Sequence, residues 1–479
     1  MSTSQSSQAA SQPEIAAPTA KWKTNLKWAA SFGIPLAIAL IPPTPVYTKV
    51  IINFFAITVW AMLSWVTGIM PEIVVGFLLP VLYIVAGVAA PQDAFSPWMG
   101  NVPWIVFGGI ILGYVMMQTG LAKRIAFRAI LLAGGTYKRT LFGMVLGGLV
   151  IAPIIPTVVG KIAIFAIIAI SICQALNLEP KSQAASGVMM AAFMAVAGPK
   201  LSYLTSGADN PLAMGLVAKV TGSMISWAEY ALHNAVIGIL YTFMGLFIVY
   251  AVIKPEKEFD SVEVIKARCA ELGPLSSDER KTALLLGAIF LLVVTDFWHK
   301  VDIGWIMVIG AGLAFAPGIG ALKPDDLKKL NIMVVFFVAG AMCIGPIAAK
   351  IGVVKIMANL LLPLLKGTPL YTCMAVFGFA VVLKLFLTPM AATAMFITPI
   401  TEIATQLGFH PYSLGYVFKY GIDQYIFPYE YAVLLYIYSF GYLTMGTLFK
   451  VLIPRIFLSA IFLAVIAYPY WKMWGLFGQ

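Results

Sequence analysis

The sequence predicts an all-α polytopic membrane protein built from two inverted repeats, each with a re-entrant hairpin and a broken helix. Three observations carry this expectation: an apolar composition, long apolar runs in close succession, and interruptions of those runs that recur in the second half. Of 479 residues, 61% are hydrophobic and 11% are charged, against roughly 25% charged in an average soluble domain. A globule cannot hide that much apolar surface from water, whereas a bilayer accepts it.

Apolar stretches of roughly spanning length run over 28–45, 50–69, 73–90, 103–120, 232–253, 282–297, 303–322, 331–349 and 451–470. Four further regions, 141–173, 184–218, 370–400 and 411–447, are apolar but hold Pro, Gly and polar residues in mid-run. Irregular backbone at membrane depth is tolerated only where it is packed in protein or lines a watery cavity. A functional site is therefore expected in these four regions.

The polar segments set the domain order. Residues 1–26 are rich in Ser, Gln, Ala and Pro and lack the basic start and apolar core of a secretory signal, so they read as a disordered cytoplasmic tail. Two membrane halves, 27–253 and 282–479, flank a stretch at 254–281 with six basic and seven acidic residues, which reads as a short cytoplasmic helix and linker. Lys123, Arg124, Arg128, Lys138 and Arg139 cluster beside apolar runs, with no acidic residue between Asp93 and Glu179. That bias marks the cytoplasmic face of a cell inner membrane. The net charge of +11 would suggest a nucleic-acid partner in a soluble protein. Here no basic domain stands outside the apolar runs, so the bilayer is the expected partner and nucleic acid is not. No metal site and no catalytic set are expected. Cys173, Cys269, Cys343 and Cys373 have no zinc or redox spacing, and His233, His299 and His410 are scattered.

The halves resemble each other. Gly108, Gly113, Gly120 and Lys123 match Gly340, Gly345, Gly352 and Lys355 at an offset of 232. The same offset lays Pro156-Thr157-Val158 on Thr388-Pro389-Met390, and Gly207-Ala208-Asp209-Asn210 is similar to Gly421-Ile422-Asp423-Gln424. Matched interruptions in an internal repeat point to a binding site.

Each interruption has its own chemistry. In Ala152-Pro153-Ile154-Ile155-Pro156-Thr157 two prolines disfavour continuous helix, so a second half-helix starts here with free N–H groups and the positive end of its dipole. That is an anion site without a charged side chain; a structural proline kink is the plainer alternative. The Gly-x-Asp strings, with Pro211 after the first, unwind a helix and expose carbonyls and amides, or else form ordinary surface turns. Lys161, Lys200, Lys384 and Lys419 lie close to the breaks. Snorkelling to headgroups is the plain expectation for them, except for Lys161, which is placed to bring a fixed positive charge to the first hairpin. Glu229, Glu402 and Glu430 are expected at the interfaces, and the aromatic string from Phe427 to Tyr442 is expected to form an interfacial belt.

The order of elements, with the strings Leu204-Thr205-Ser206-Gly207-Ala208-Asp209-Asn210-Pro211-Leu212, Gly421-Ile422-Asp423-Gln424 and Ile151-Ala152-Pro153-Ile154-Ile155-Pro156, resembles the divalent anion:sodium symporter family. The nearest branch holds the bacterial and plastid dicarboxylate and citrate translocators. Family members typically carry Ser-Asn-Thr at each hairpin tip, where it binds carboxylates and helps form sodium sites. The tips here are Thr157-Val158-Val159 and Pro389-Met390-Ala391, so only Thr157 keeps a hydroxyl and both asparagines are gone.

The resemblance implies a homodimer that works as an elevator, and a secondary carrier of small organic anions, dicarboxylates first, as cation symporter or anion exchanger. Tricarboxylate, sulfate or sulfonate is the alternative cargo. A membrane-embedded enzyme and an anion channel are the alternatives from other classes. The substrate-binding residues expected are Pro156, Thr157, Val158, Val159, Lys161, Asn210, Pro211, Thr388, Pro389, Met390, Ala391, Asp423 and Gln424. Gly207, Asp209 and Gly421 are the candidate cation ligands. No cofactor is expected beyond Na+ as a coupling ion.

Overall fold

The computed structural model describes residues 21–155, 157–256 and 258–478. A helix over Lys21–Trp28 (α1) already occupies the end of the segment expected as a disordered tail; the rest of that segment, 1–20, lies outside the described residues. The first half continues with α2 (Lys49–Thr67), α3 (Glu72–Val85), α4 (Val102–Gln118), α5 (Leu121–Ala133), α6 (Tyr137–Ile151), α7 (Val158–Ala175), α8 (Gln183–Ala197), α9 (Asp209–Thr221) and α10 (Trp227–Val252). The linker holds α11 (Val262–Glu271). The second half holds α12 (Ser277–Val294), α13 (Ile303–Leu313), α14 (Met333–Ala341), α15 (Ile344–Lys350), α16 (Val353–Leu365), α17 (Pro369–Lys384), α18 (Pro389–Gln406), α19 (Tyr412–Ile422), α20 (Ala432–Tyr438) and α21 (Met445–Phe462). Among the described residues, six helices are long and apolar enough to cross a membrane, or up to eight if each bent pair is one span.

The repeat is visible in the backbone. Gly120 and Gly352 both take left-handed φ, +85° and +81°, and each starts the helix that follows it. A side chain is strained in that region, which is why glycine recurs there. The helices α3 and α13 are swapped between the halves: α3 packs on α14, and α13 packs on α4. A Cβ on Gly108 would lie 2.5 Å from the Met307 carbonyl, and one on Gly340 would lie 2.1 Å from the Gly76 carbonyl oxygen. The matched glycines thus stand where two helices touch backbone to backbone.

Each half then forms a hairpin and a broken helix. In the first, α6 and α7 are the hairpin arms, and α8 and α9 are the pieces of the broken helix. In the second, α17 and α18 are the arms and α19 and α20 the pieces. The first arm packs on the first piece in both halves, α6 on α8 and α17 on α19. From Ala184 to Ala197 every side chain of α8 is buried, so this helix forms the centre of the fold.

The linker is anchored rather than loose. Arg124 of α5, expected among the charges of a membrane face, is buried. It donates to both carboxylate oxygens of Glu279, at 2.7 and 2.9 Å, and to the carbonyls of Leu272, Gly273 and Pro274 at 2.9–3.2 Å. One guanidinium satisfies the end of α11 and the start of α12 together.

Candidate functional site

Both hairpin tips begin a helix in the same way. Thr157 precedes α7 and its hydroxyl accepts from the Gly160 N–H at 3.1 Å. Thr388 precedes α18 and accepts from the Ala391 N–H at 3.4 Å. Such caps satisfy one amide and leave the others of the first turn free. The two capping threonines are 231 positions apart, so Thr157 corresponds to Thr388. The expected pairing of Thr157 with Pro389 was one residue out of register. Pro156 lies outside the described residues.

The tips share one cavity of about 360 Å³. Thr157, Val158, Val159 and Gly160 line it from the first hairpin and Met390 from the second, with Ala208 from the first break between them. The facing wall is a stripe of α4, Val106, Ile110, Tyr114 and Met117, joined by Lys329 and Asn331 from the segment before α14 and by Val334 of its first turn. Spacings of three and four residues put that stripe on one helix face. Apart from Tyr114, Lys329 and Asn331 this wall is apolar, and the free amides at the start of α7 lie on the tip side.

Behind the tips lies a chain of buried ions. Lys419 touches Asp209. Asp209 meets Lys200 at 3.3 Å, Lys200 meets Asp423 at 2.9 Å, and Asp423 meets Arg455 at 2.8 Å. Tyr425 donates to Asp423 at 2.6 Å and accepts from Lys200 at 3.2 Å. Arg455 also donates to the Asp423 carbonyl at 2.8 Å. Lys161 donates to the Ser206 carbonyl at 2.6 Å, and Lys384 to that of Glu430 at 2.5 Å. Taking each such charge out of water costs several kcal/mol, offset only by close partners. Helix ends help: Asp209 is in the first turn of α9, and Lys384 and Lys419 are in the last turns of α17 and α19.

This arrangement overturns several expectations. Lys200, Lys384 and Lys419 do not snorkel; all three are buried, Lys200 and Lys419 in ion pairs and Lys384 on the Glu430 carbonyl. Glu430 is not interfacial: its carboxylate accepts from the amides of Ile426 and Phe427 at 2.6 and 3.2 Å. The aromatic string is divided, with Tyr429 exposed and Tyr431 buried in a stack on Tyr425 at 4.4 Å. The Gly-x-Asp strings are not equivalent. Asp209 and Asn210 open the helix after the first break, whereas Gly421 and Ile422 close the helix before the second.

Neither amide faces the cavity freely. Asn210 donates to the carbonyls of Lys200 and Tyr203 at 2.7 and 2.9 Å. Gln424 donates to Tyr241 and to the Tyr420 carbonyl, at 2.7 and 2.8 Å, and accepts from Ser459. Pro211, Pro389 and Ala391 are buried in first turns. Gly207 is extended at the first break, and a Cβ there would meet Asp209 at 2.8 Å.

Gly421 is helical, and a Cβ on it would lie 2.4 Å from the Ala380 Cβ and 2.8 Å from the Phe377 carbonyl. Its place is a close helix contact. Gly421→Val is accordingly expected to destabilise the protein by roughly 1–3 kcal/mol. The check is the melting temperature in detergent, with Gly378→Val, where nothing lies within 4 Å, as the neutral control.

Arg455 is the functional-looking residue that the sequence reading missed. An arginine inside the apolar run 451–470 was the available signal, since a charge at membrane depth demands a partner.

Two inverted repeats whose hairpin tips meet at one cavity define the class, a multi-pass membrane protein with a transporter architecture. The chain belongs to the sodium:sulfate symporter family, whose transmembrane-region model matches residues 22–477. This bears out the resemblance read from the hairpins and breaks.

Among relatives, the inner membrane protein YbhI of Escherichia coli is 28% identical over 292 residues, 59% of each chain. A citrate/succinate antiporter of Escherichia coli is 25% identical over 240 residues, 48% of this chain and 46% of the relative. The chloroplastic dicarboxylate transporter 1 of Spinacia oleracea is 26% identical over 212 residues, 43% and 36%. The matched stretches therefore span less than two thirds of these relatives. The crystal structure of the Alcanivorax borkumensis YdaH transporter superposes on 95% of this chain and all of its own, with a TM-score of 0.53 at 14% identity. The fold is shared with it.

Proposed function

We propose that the chain is a secondary carrier of small organic anions, dicarboxylates above all, that exchanges one anion for another across a cell inner membrane. The observation that carries this reading is the charge balance behind the shared cavity. Five buried basic side chains (Lys161, Lys200, Lys384, Lys419 and Arg455) outnumber three buried acidic ones (Asp209, Asp423 and Glu430), and the partly buried Glu72 beside Lys384 and Thr388 brings the formal excess to one positive charge. That excess attracts a dicarboxylate to the tips, and the free amides at the start of α7 receive one of its carboxylates. The names of the relatives, a dicarboxylate transporter and a citrate/succinate antiporter, support the same class.

The tethered charges also favour exchange over cation symport. Lys161, expected to stand in for a coupling cation at the tip, instead donates to the Ser206 carbonyl at the first break. A carrier whose counter-charge cannot dissociate is unbalanced when empty, so it crosses most easily loaded. In this reading the hairpins and broken helices move as one body of an elevator past the α4 stripe, in a homodimer, with the tail and linker on the cytoplasmic side. Gly113 of α4 leaves room for that passage, because a Cβ there would come within 3.1 Å of Ile155 at the tip.

The test is counterflow in proteoliposomes preloaded with succinate, citrate or sulfate, with and without a sodium gradient. Labelled succinate is expected to exchange against internal dicarboxylate at equal rates in sodium and choline. Net uptake that needs sodium and no internal anion contradicts exchange. Counterflow with sulfate but not with succinate contradicts the substrate class.

A further inference from the structure

The Lys200 ammonium has the surroundings of a bound ion. Three oxygens converge on it: Asp423 Oδ1 at 2.9 Å, the Tyr425 hydroxyl at 3.2 Å and Asp209 Oδ2 at 3.3 Å. The ring of Tyr431 adds its face at 5.1 Å. Asp209 opens the helix after the first break, and Asp423 follows the helix before the second. The ammonium therefore joins the two repeats at their breaks, as the Lys419–Asp209 pair also does, and its side chain runs beside Gly207, the neighbour of Ala208 in the cavity wall.

We propose that Lys200 is a resident cation: its ammonium fills a monovalent-cation site built by Asp209, Asp423 and Tyr425, and so holds the two breaks together without a dissociable ion. The inference rests on the exchange reading above for its meaning in transport, but not for its test. Two carboxylates brought this close repel each other unless a cation lies between them. A lysine supplies that cation permanently, fixed by its own backbone. The space left by removing its side chain then presents two carboxylates and a phenol to any small cation, the hard oxygen donors that alkali ions take. The outer ends of the chain stay paired, Asp209 to Lys419 and Asp423 to Arg455, so the carboxylates remain held in place.

The experiment compares wild type, Lys200→Ala and Lys200→Ala/Asp423→Asn, purified in detergent, by thermal unfolding in choline, potassium, sodium and propylammonium chlorides. Wild type is expected to melt alike in all four. Lys200→Ala is expected to be unstable in choline and to gain about 3 °C or more in sodium or propylammonium, as linkage to a ligand of the folded state requires. The double variant is expected to lose most of that gain. Should the single variant survive purification only in sodium or propylammonium, the same result has been obtained in its strongest form. A Lys200→Ala protein that is equally unstable or equally lost in all four salts overturns the proposal, as does a gain that persists undiminished in the double variant. Because unfolding is read without substrate, failure here is distinguishable from failure of dicarboxylate exchange. If both hold, succinate exchange by Lys200→Ala becomes sodium-dependent, whereas that of wild type does not.

Discussion

Asp423→Ala is expected to destabilise the protein by about 3–5 kcal/mol, the usual cost of stripping one partner from a buried ion pair, and to abolish transport. Asp423 is fully buried and serves three donors, Lys200, Arg455 and Tyr425. Without its carboxylate, Lys200 and Arg455 lie together, and Asp209 is the one carboxylate left among the three cations of this buried ion chain. Arg455 keeps only the carbonyl of residue 423 as acceptor. The measurement is unfolding in detergent beside succinate counterflow. An alanine variant that melts within a degree of wild type would show that the chain contributes little, and would remove the basis for the charge excess behind the cavity.

Val159→Trp is expected to act in the opposite way, on transport and not on stability. Val159 is 52% exposed and lines the cavity between the tips and α4, so an indole there strains no packed neighbour. A cavity of about 360 Å³ has little room for both an indole and a dicarboxylate. Exchange should fall on the order of tenfold or more, since small-ligand sites bury most of their ligand. The melting temperature should stay near that of wild type. Undiminished exchange by this variant places the substrate elsewhere.

Much of the architecture was legible because it rests on bulk chemistry and on glycines that the backbone demands. Gly108 and Gly340 mark helix contacts, Gly120 and Gly352 left-handed turns, and both pairs were found from spacing alone. The hairpin register slipped by one residue for a physical reason. Proline is tolerated just before a helix and at its first position alike, so Pro156 and Pro389 fall on opposite sides of their capping threonines. Aligning on proline therefore misplaces the cap. The two Gly-x-Asp strings misled similarly, because a glycine and an aspartate suit the end of one helix as well as the start of the next.

The lysines were misread because each was judged alone. Asp209 and Lys419 are 210 positions apart, and nothing local reveals the partner. Four lysines beside breaks, two aspartates and an arginine inside an apolar run were present in the sequence, and their cost at membrane depth was the reason to pair them.

The claim on which the rest depends is that substrate sits between the two hairpin tips. It is tested most directly by substrate protection. In a variant with Cys173, Cys269, Cys343 and Cys373 replaced, single cysteines at Val158 and Met390 are labelled with a maleimide in the presence and absence of succinate. Succinate should slow labelling at both positions, in choline as in sodium, because one ligand covers both tips at once. Unchanged rates at both positions, or protection at one tip alone, would contradict a shared site.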